Sequence, residues 1–205
     1  MDEQVLSATR RSLHAVAEQL LAGPQHRTQG TIRLRVTEGG FGQVAGPWRV
    51  EGGELVGPDR RVPLTGTVAD VGAAAGVEPG PPSIDSDHAD LADGAQLAVD
   101  PDAAAALADW FARGDAGLRA FAPDEEPVLW PEHFDLGIAL DEVNYGISPG
   151  DGGHAGPYAY VGPWTKREGP FWNVDFGSLC TADQLPDVEA VAAYFGAGRS
   201  AAASE

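Results

Sequence analysis

The chain has 205 residues, 43% hydrophobic and 21% charged, enough apolar material for one sizeable core and too little for two full domains. With 13 Lys and Arg against 31 Asp and Glu it carries a formal net charge of -18, which repels phosphate backbones and anionic lipid, so nucleic acid and membrane surfaces are excluded as expected partners. No window approaches the roughly 18 consecutive apolar residues of a membrane helix, and Met1-Asp2-Glu3 lacks the features of a signal peptide, so a cytoplasmic single domain over 1–205 is expected.

In chain order, Leu6, Leu13, Val16, Leu20 and Leu21 recur at helical spacing, predicting an amphipathic first helix that ends at Gly23-Pro24. His14 on it and His26 at its end read as surface positions. From Thr28 the period becomes two, with Ile32, Leu34 and Val36 on one face of a strand. The run Glu38-Gly39-Gly40-Phe41-Gly42 fits neither a dinucleotide fingerprint nor a phosphate loop and reads as a turn. Gly52-Gly53 between 48–51 and 54–56 predicts a hairpin, and 61–64 a further strand. Thr67 is placed to cap a short helix ending at Ala75 and Gly76.

Residues 78–96, rich in Pro, Gly and Asp and including His88, read as a mobile loop. Asp100-Pro101-Asp102 opens a helix carrying Leu107, Trp110 and Phe111 that continues past Gly114. The last third is strand-like from 130 to 179, and Pro186-Asp187 starts a final helix whose end, 199–205, reads as frayed. The lone Cys180 excludes an internal disulfide and a thiolate cluster, and is expected to be a buried thiol. The element order lacks βαβ alternation, so the expected fold is α+β, a mainly antiparallel sheet, barrel-like or strongly curved, with about four helices packed on it.

Chemistry concentrates at 130–151. Taking 130–140 as a strand, 143–148 as its return and Asp141-Glu142 as the turn pairs Leu140 with Val143. One face then carries Phe134, Leu136, Ile138, Leu140, Val143, Tyr145 and Ile147, and is core. The other carries His133, Asp135, Gly137, Ala139, Asn144, Gly146 and Ser148. Glycine weakens a strand and marks close approach of a ligand or another backbone, so this face reads as a pocket floor. The competing reading is that Gly137, Ala139 and Gly146 let a helix pack closely while His133 and Asp135 satisfy each other or nearby backbone.

With Asn173 and Asp175 on the polar side of a predicted strand at 171–176, and Asp151, Tyr158, Tyr160 and Trp164 nearby, a cavity edge is completed. Its expected chemistry is His133–Asp135 acid/base work on a small-molecule ligand, or a divalent metal held by His133, Asp135, His154 and Asp175, since imidazole and carboxylate suit Zn, Mn or Fe(II). The rival class is a non-catalytic module in which 78–96 and the aromatic strand around Tyr158 meet a protein partner. Oligomeric state is not legible.

The motifs W-P-x-H-F-D at 130–135, N-x-G-x-S-P-G-D at 144–151, P-Y-x-Y at 157–160 and F-W-N at 171–173 resemble those of an uncharacterised family of bacterial proteins. The resemblance implies a shared site and supplies no reaction.

Overall fold

The computed structural model describes residues 2–82, 91–92 and 94–204. Residues 83–90 and 93 of the expected mobile loop at 78–96, His88 included, lie outside the described residues. The fold is α+β, every strand pairing described is antiparallel, and the strand order is open, so the barrel-like option is set aside. Residues 1–109 with 129–134 form one compact unit, and 110–128 with 135–205 the other. Among the described residues no helix is long and apolar enough to cross a membrane.

In the first unit, α1 (Glu3–Val16) starts at Asp2, whose carboxylate accepts the Gln4 and Val5 amides at 2.8 and 3.4 Å. The expected stop at Gly23-Pro24 does not occur. A π-helical segment (Ala17–Ala22) leads into α2 (Gly23–Gln29), which ends at Gly30 with φ 72°. The reason lies in the hydrogen bonds. In π register the Gly23 amide reaches the Glu18 carbonyl, and the next bond, to the Gln19 carbonyl, would fall to Pro24, which has no N–H. The Gly80 amide donates to that carbonyl instead, at 3.1 Å. Gly23 makes the approach possible, since a Cβ there would lie 1.8 Å from the Gly80 carbonyl oxygen.

Five strands follow: β1 (Leu34–Thr37), β2 (Gly40–Gln43), β3 (Arg49–Glu51), β4 (Glu54–Val56) and β5 (Arg61–Pro63). The glycine-rich run is a turn only at Glu38-Gly39; Gly40 to Gly42 belong to β2. They pair with β1 and β3, and glycine suits them because β3 lies too close for side chains, a Cβ on Gly40 falling 2.3 Å from the Val50 oxygen, while Phe41 between them is buried. The Gly52-Gly53 hairpin and the helix α3 (Val68–Ala75) match expectation, the latter with a full capping box between Thr67 and Asp70 and Gly76 in the left-handed region. Adding β6 (Val128–Trp130), which sets Leu129 opposite Leu34, the order is β6-β1-β2-β3-β4-β5.

In the second unit the order is β10-β9-β8-β7, for β7 (Asp135–Leu140), β8 (Val143–Ser148), β9 (Tyr158–Pro163) and β10 (Ser178–Thr181). Helix α4 (Pro101–Phe121) begins in the first unit, capped by Asp100, which accepts the Ala103 amide at 2.9 Å, and ends in the second. Its Gly114 and Gly117 let Ile147 and Val191 close on the helix, at 2.5 and 2.4 Å from where a Cβ would sit. Helix α5 (Val188–Ala203) starts at Asp187 and stays helical to Ala203, past the point where fraying was expected.

Two predicted strands are corrected. The expected strand at 130–140 is interrupted by a turn at 131–134, where Phe134 takes φ 53° and packs against His14 and Phe41 in the first unit. Residues 171–176 form no strand of their own: Phe171 packs on Tyr194 of α5, Val174 pairs back with Gly177, and Phe176, which a strand would set on the same face as Trp172, is 51% exposed.

Candidate functional site

The hairpin of β7 and β8 has the predicted register, with Leu140 opposite Val143 and Leu136 opposite Ile147. Leu136, Ile138, Val143, Tyr145 and Ile147 are buried, as strand parity requires, and Leu140 at the turn is half-buried. Asp141 and Glu142 both take positive φ, 53° and 60°, the conformation a tight primed turn demands. Arg199 of α5 holds the Asp141 carboxylate at 2.8 Å.

The other face is occupied. Gly137 lies opposite Gly146, and Gly146 opposite Tyr160 of β9, so the three form one row across the strands. The Tyr160 ring lies over the two glycines: a Cβ on Gly146 would meet its hydroxyl at 2.5 Å, and one on Gly137 at 3.1 Å. A tyrosine lying across glycines on neighbouring strands supplies the packing those strands lack. Its hydroxyl donates to an Asp135 carboxylate oxygen. Burial, reinforced by the Asp135 charge, pushes the Tyr160 phenol well above its ordinary range, so it remains a neutral donor. The side chain over these glycines is therefore a tyrosine, not the helix of the competing sequence reading.

A second tyrosine–aspartate pair stands beside the first. Tyr158, 7% exposed, donates to Asp151, whose other oxygen accepts the Gly153 and His154 amides at 2.6 and 2.8 Å. Burial and the bond to Asp151 raise the Tyr158 phenol also. The Asp151 amide in turn donates to the His154 carbonyl at 2.8 Å, and the His154 ring meets Tyr158 edge-on at 5.3 Å. Ser148 accepts the Gly150 amide through Oγ at 3.1 Å and the Trp110 indole through its carbonyl at 2.9 Å. These bonds run from one strand end to a loop and close on one another. Such a network rigidifies the 148–158 connection.

The remaining predicted residues are dispersed. His133 is exposed in the 131–134 turn. Asn144 is exposed and accepts the Trp164 indole N–H at 3.1 Å. Asn173 clasps the backbone of Leu179 with two bonds of 2.9 Å, tying the 173–179 turn to β10. Asp175 is exposed in that turn. Among the described residues no three His, Cys, Asp or Glu side chains form a group able to hold a metal ion, so His133, Asp135, His154 and Asp175 are not gathered as a ligand set. Cys180 is half-buried, and burial raises its thiol. No family model, curated protein or solved structure matches the chain.

Sequence reasoning missed two features, the exposure of Phe176 and the packing of His14. Phe176, 51% exposed, and Trp164, expected at a cavity edge and 65% exposed, are large apolar side chains left in solvent at the Gly162 end of β9. Gly162 lies opposite Asn144, the Trp164 indole partner, and a Cβ on it would lie 3.7 Å from the Phe176 carbonyl. The signal was the Asp175-Phe176-Gly177 turn, where an aromatic between turn formers has nowhere to bury. His14, read as a surface residue, is instead packed: its Nε2 lies 2.7 Å from the Pro131 carbonyl and its ring stacks on Phe134 at 5.3 Å, so burial lowers its pKa.

Proposed function

We propose that this chain is a non-catalytic protein-interaction module that binds a basic surface on a partner through Trp164 and Phe176. The observation that carries the reading is Tyr160. Its ring takes the volume above Gly137 and Gly146 that a ligand would need, and its hydroxyl engages Asp135, the carboxylate expected to do acid/base work. Tyr158 and Asp151 are engaged in the same way.

In the second unit the exposed aromatic residues Trp164 and Phe176 then carry recognition. Trp and Phe are enriched at the centres of protein interfaces, where they supply large rigid contact area. Trp164 is held on the surface by its bond to Asn144 and by its amide, which donates to the Glu142 carbonyl at 2.9 Å. Glu142, Glu168 and Asp175 are exposed in the same stretches and outnumber Lys166 and Arg167 there, and the chain as a whole carries -18, so electrostatic complementarity favours a cationic partner surface.

The test is capture from a lysate of the source cells, followed by calorimetry with the captured protein in purified form. Trp164→Ala with Phe176→Ala should weaken binding by at least about 30-fold, the scale of a lost anchor of about 2 kcal/mol. His133→Ala should bind as the parent does. Binding that survives the aromatic double variant but is lost with His133→Ala would overturn the proposal.

A further inference from the structure

The first unit contains a groove of about 360 Å³ between α2, the loop 44–48 joining β2 to β3, and 76–78. We infer that it is a binding site for a small monocarboxylate with a planar apolar body, the carboxylate meeting Arg27 and the body lying against Trp48.

The walls are built to a fixed shape. Between β3 and β4 the chain turns in two residues, yet between β2 and β3 it runs through five, and two buried glutamines hold that longer loop in place. Gln25 accepts the Ala45 amide at 2.8 Å and donates to the Thr31 and Arg33 carbonyls at 3.0 and 2.9 Å. Gln43 accepts the Trp48 amide at 3.1 Å and donates to the Leu21 carbonyl at 2.9 Å. Gly46 must be glycine for this, because a Cβ would fall 2.1 Å from the Gln43 side-chain oxygen. Burying two amides to brace an irregular loop costs desolvation and rotamer freedom. A loop pre-organised on a rigid scaffold beside a concavity of this size is what small-molecule sites are made of.

The lining then selects the ligand. Trp48 is seated over Gly57, with ring atoms 2.6 Å from where a Cβ would be, so its orientation is fixed. Pro47 and Val77 add apolar wall. Among the described residues Arg27 donates to the Glu78 and Gly80 carbonyls, which orient the guanidinium without neutralising it, in a chain where carboxylates outnumber cations 31 to 13. Guanidinium donors at the rim call for a planar carboxylate. Glu78 is the one acid among the described residues of the lining, and its charge disfavours ligands of higher negative charge.

Titration with 1-naphthoate, followed by amide and indole NMR signals, tests this. The expected result is saturable binding in the millimolar range or tighter, with shifts at Gly46, Trp48 and its indole N–H. The neutral isostere 1-naphthamide should bind about tenfold more weakly to the parent protein, and Arg27→Gln should bring naphthoate down to the amide's level. No saturable binding, equal affinity for acid and amide, or shifts confined to residues outside the groove would overturn the inference. The acid–amide comparison uses the unaltered protein, so it stands whatever Arg27→Gln does to folding.

Discussion

Replacing Gly146 by alanine asks directly whether the glycine face of the hairpin exists for Tyr160. The new methyl would sit 2.5 Å from the Tyr160 hydroxyl and 2.6 Å from the Leu136 carbonyl oxygen. The carbonyl belongs to the β7–β8 ladder and cannot withdraw without opening it, so the tyrosine must swing away and abandon Asp135. Overpacking of this kind costs about 1 to 3 kcal/mol, and the lost hydrogen bond to a carboxylate adds about 1.5 kcal/mol or more. A loss of about 3 to 4 kcal/mol is expected. With a urea slope of about 2 kcal/mol per molar, the unfolding midpoint falls by about 1.5 to 2 M. In a Tyr160→Ala background one of the two obstructions is gone, and the penalty of Gly146→Ala should shrink by about 1 kcal/mol or more, a coupling that a double-mutant cycle resolves. Gly137→Ala, whose nearest contacts are 3.0 and 3.1 Å, should cost less than Gly146→Ala. A Gly146→Ala protein within about 0.5 kcal/mol of the parent, or the same penalty in both backgrounds, would refute the reasoning.

Tyr145 and Tyr160 should respond oppositely to the same substitution. Among the described residues the buried Tyr145 hydroxyl has no hydrogen-bond partner, so Tyr145→Phe is expected to leave stability unchanged or raise it by about 1 kcal/mol, whereas Tyr160→Phe removes the tyrosine's hydrogen bond to Asp135 and should cost about 1 to 3 kcal/mol in the same urea assay. All four tyrosines have raised pKa values, Tyr145 pushed up to about 12 by burial and Tyr158, Tyr160 and Tyr194 raised by burial as well. Each keeps its proton in the fold above the unfolded value near 10, so this stabilisation is complete below about pH 10 and is lost as pH rises beyond it. Ultraviolet titration should show tyrosinate appearing together with unfolding; ionisation of any tyrosine near pH 10 in folded protein would count against the burial. His14 behaves in the opposite sense. Burial lowers its pKa, against the nearby Glu18 charge and the bond to Pro131 and with the His133 and Arg10 charges, so stability is full above about pH 6.5 and falls as pH drops below it. The urea midpoint should fall more steeply between pH 6.5 and 5 in the parent than in His14→Gln.

The sequence revealed much of this through local rules. Period-two alternation, the Leu140–Val143 pairing, the Gly52-Gly53 hairpin and the Thr67 and Asp187 caps each depend on residues within a few positions of one another, and each is present. What escaped depended on distant partners. The helix passes Gly23-Pro24 because Gly80 supplies a donor from 57 positions further along. The glycine face looked open because nothing local says that Tyr160 lies opposite Gly146; the two strands were legible, and their mutual register was not. Placing Phe176 in a strand failed because alternation of aromatic and polar residues at 171–176 satisfies the strand pattern in a segment that Gly177 and the Asn173 clasp fold into a turn.

The central claim is that recognition belongs to Trp164 and Phe176 while the hairpin face is structural. One calorimetric comparison with the purified partner tests it most directly, setting Trp164→Ala with Phe176→Ala beside Tyr160→Phe. Both aromatic side chains are largely solvent-exposed, so the first variant should keep the parent's stability and lose binding by at least about 30-fold. The second should lose stability and bind with the parent's affinity under conditions where it is folded. Undiminished binding by the aromatic double variant, together with lost binding by folded Tyr160→Phe, would contradict the account and return function to the hairpin face.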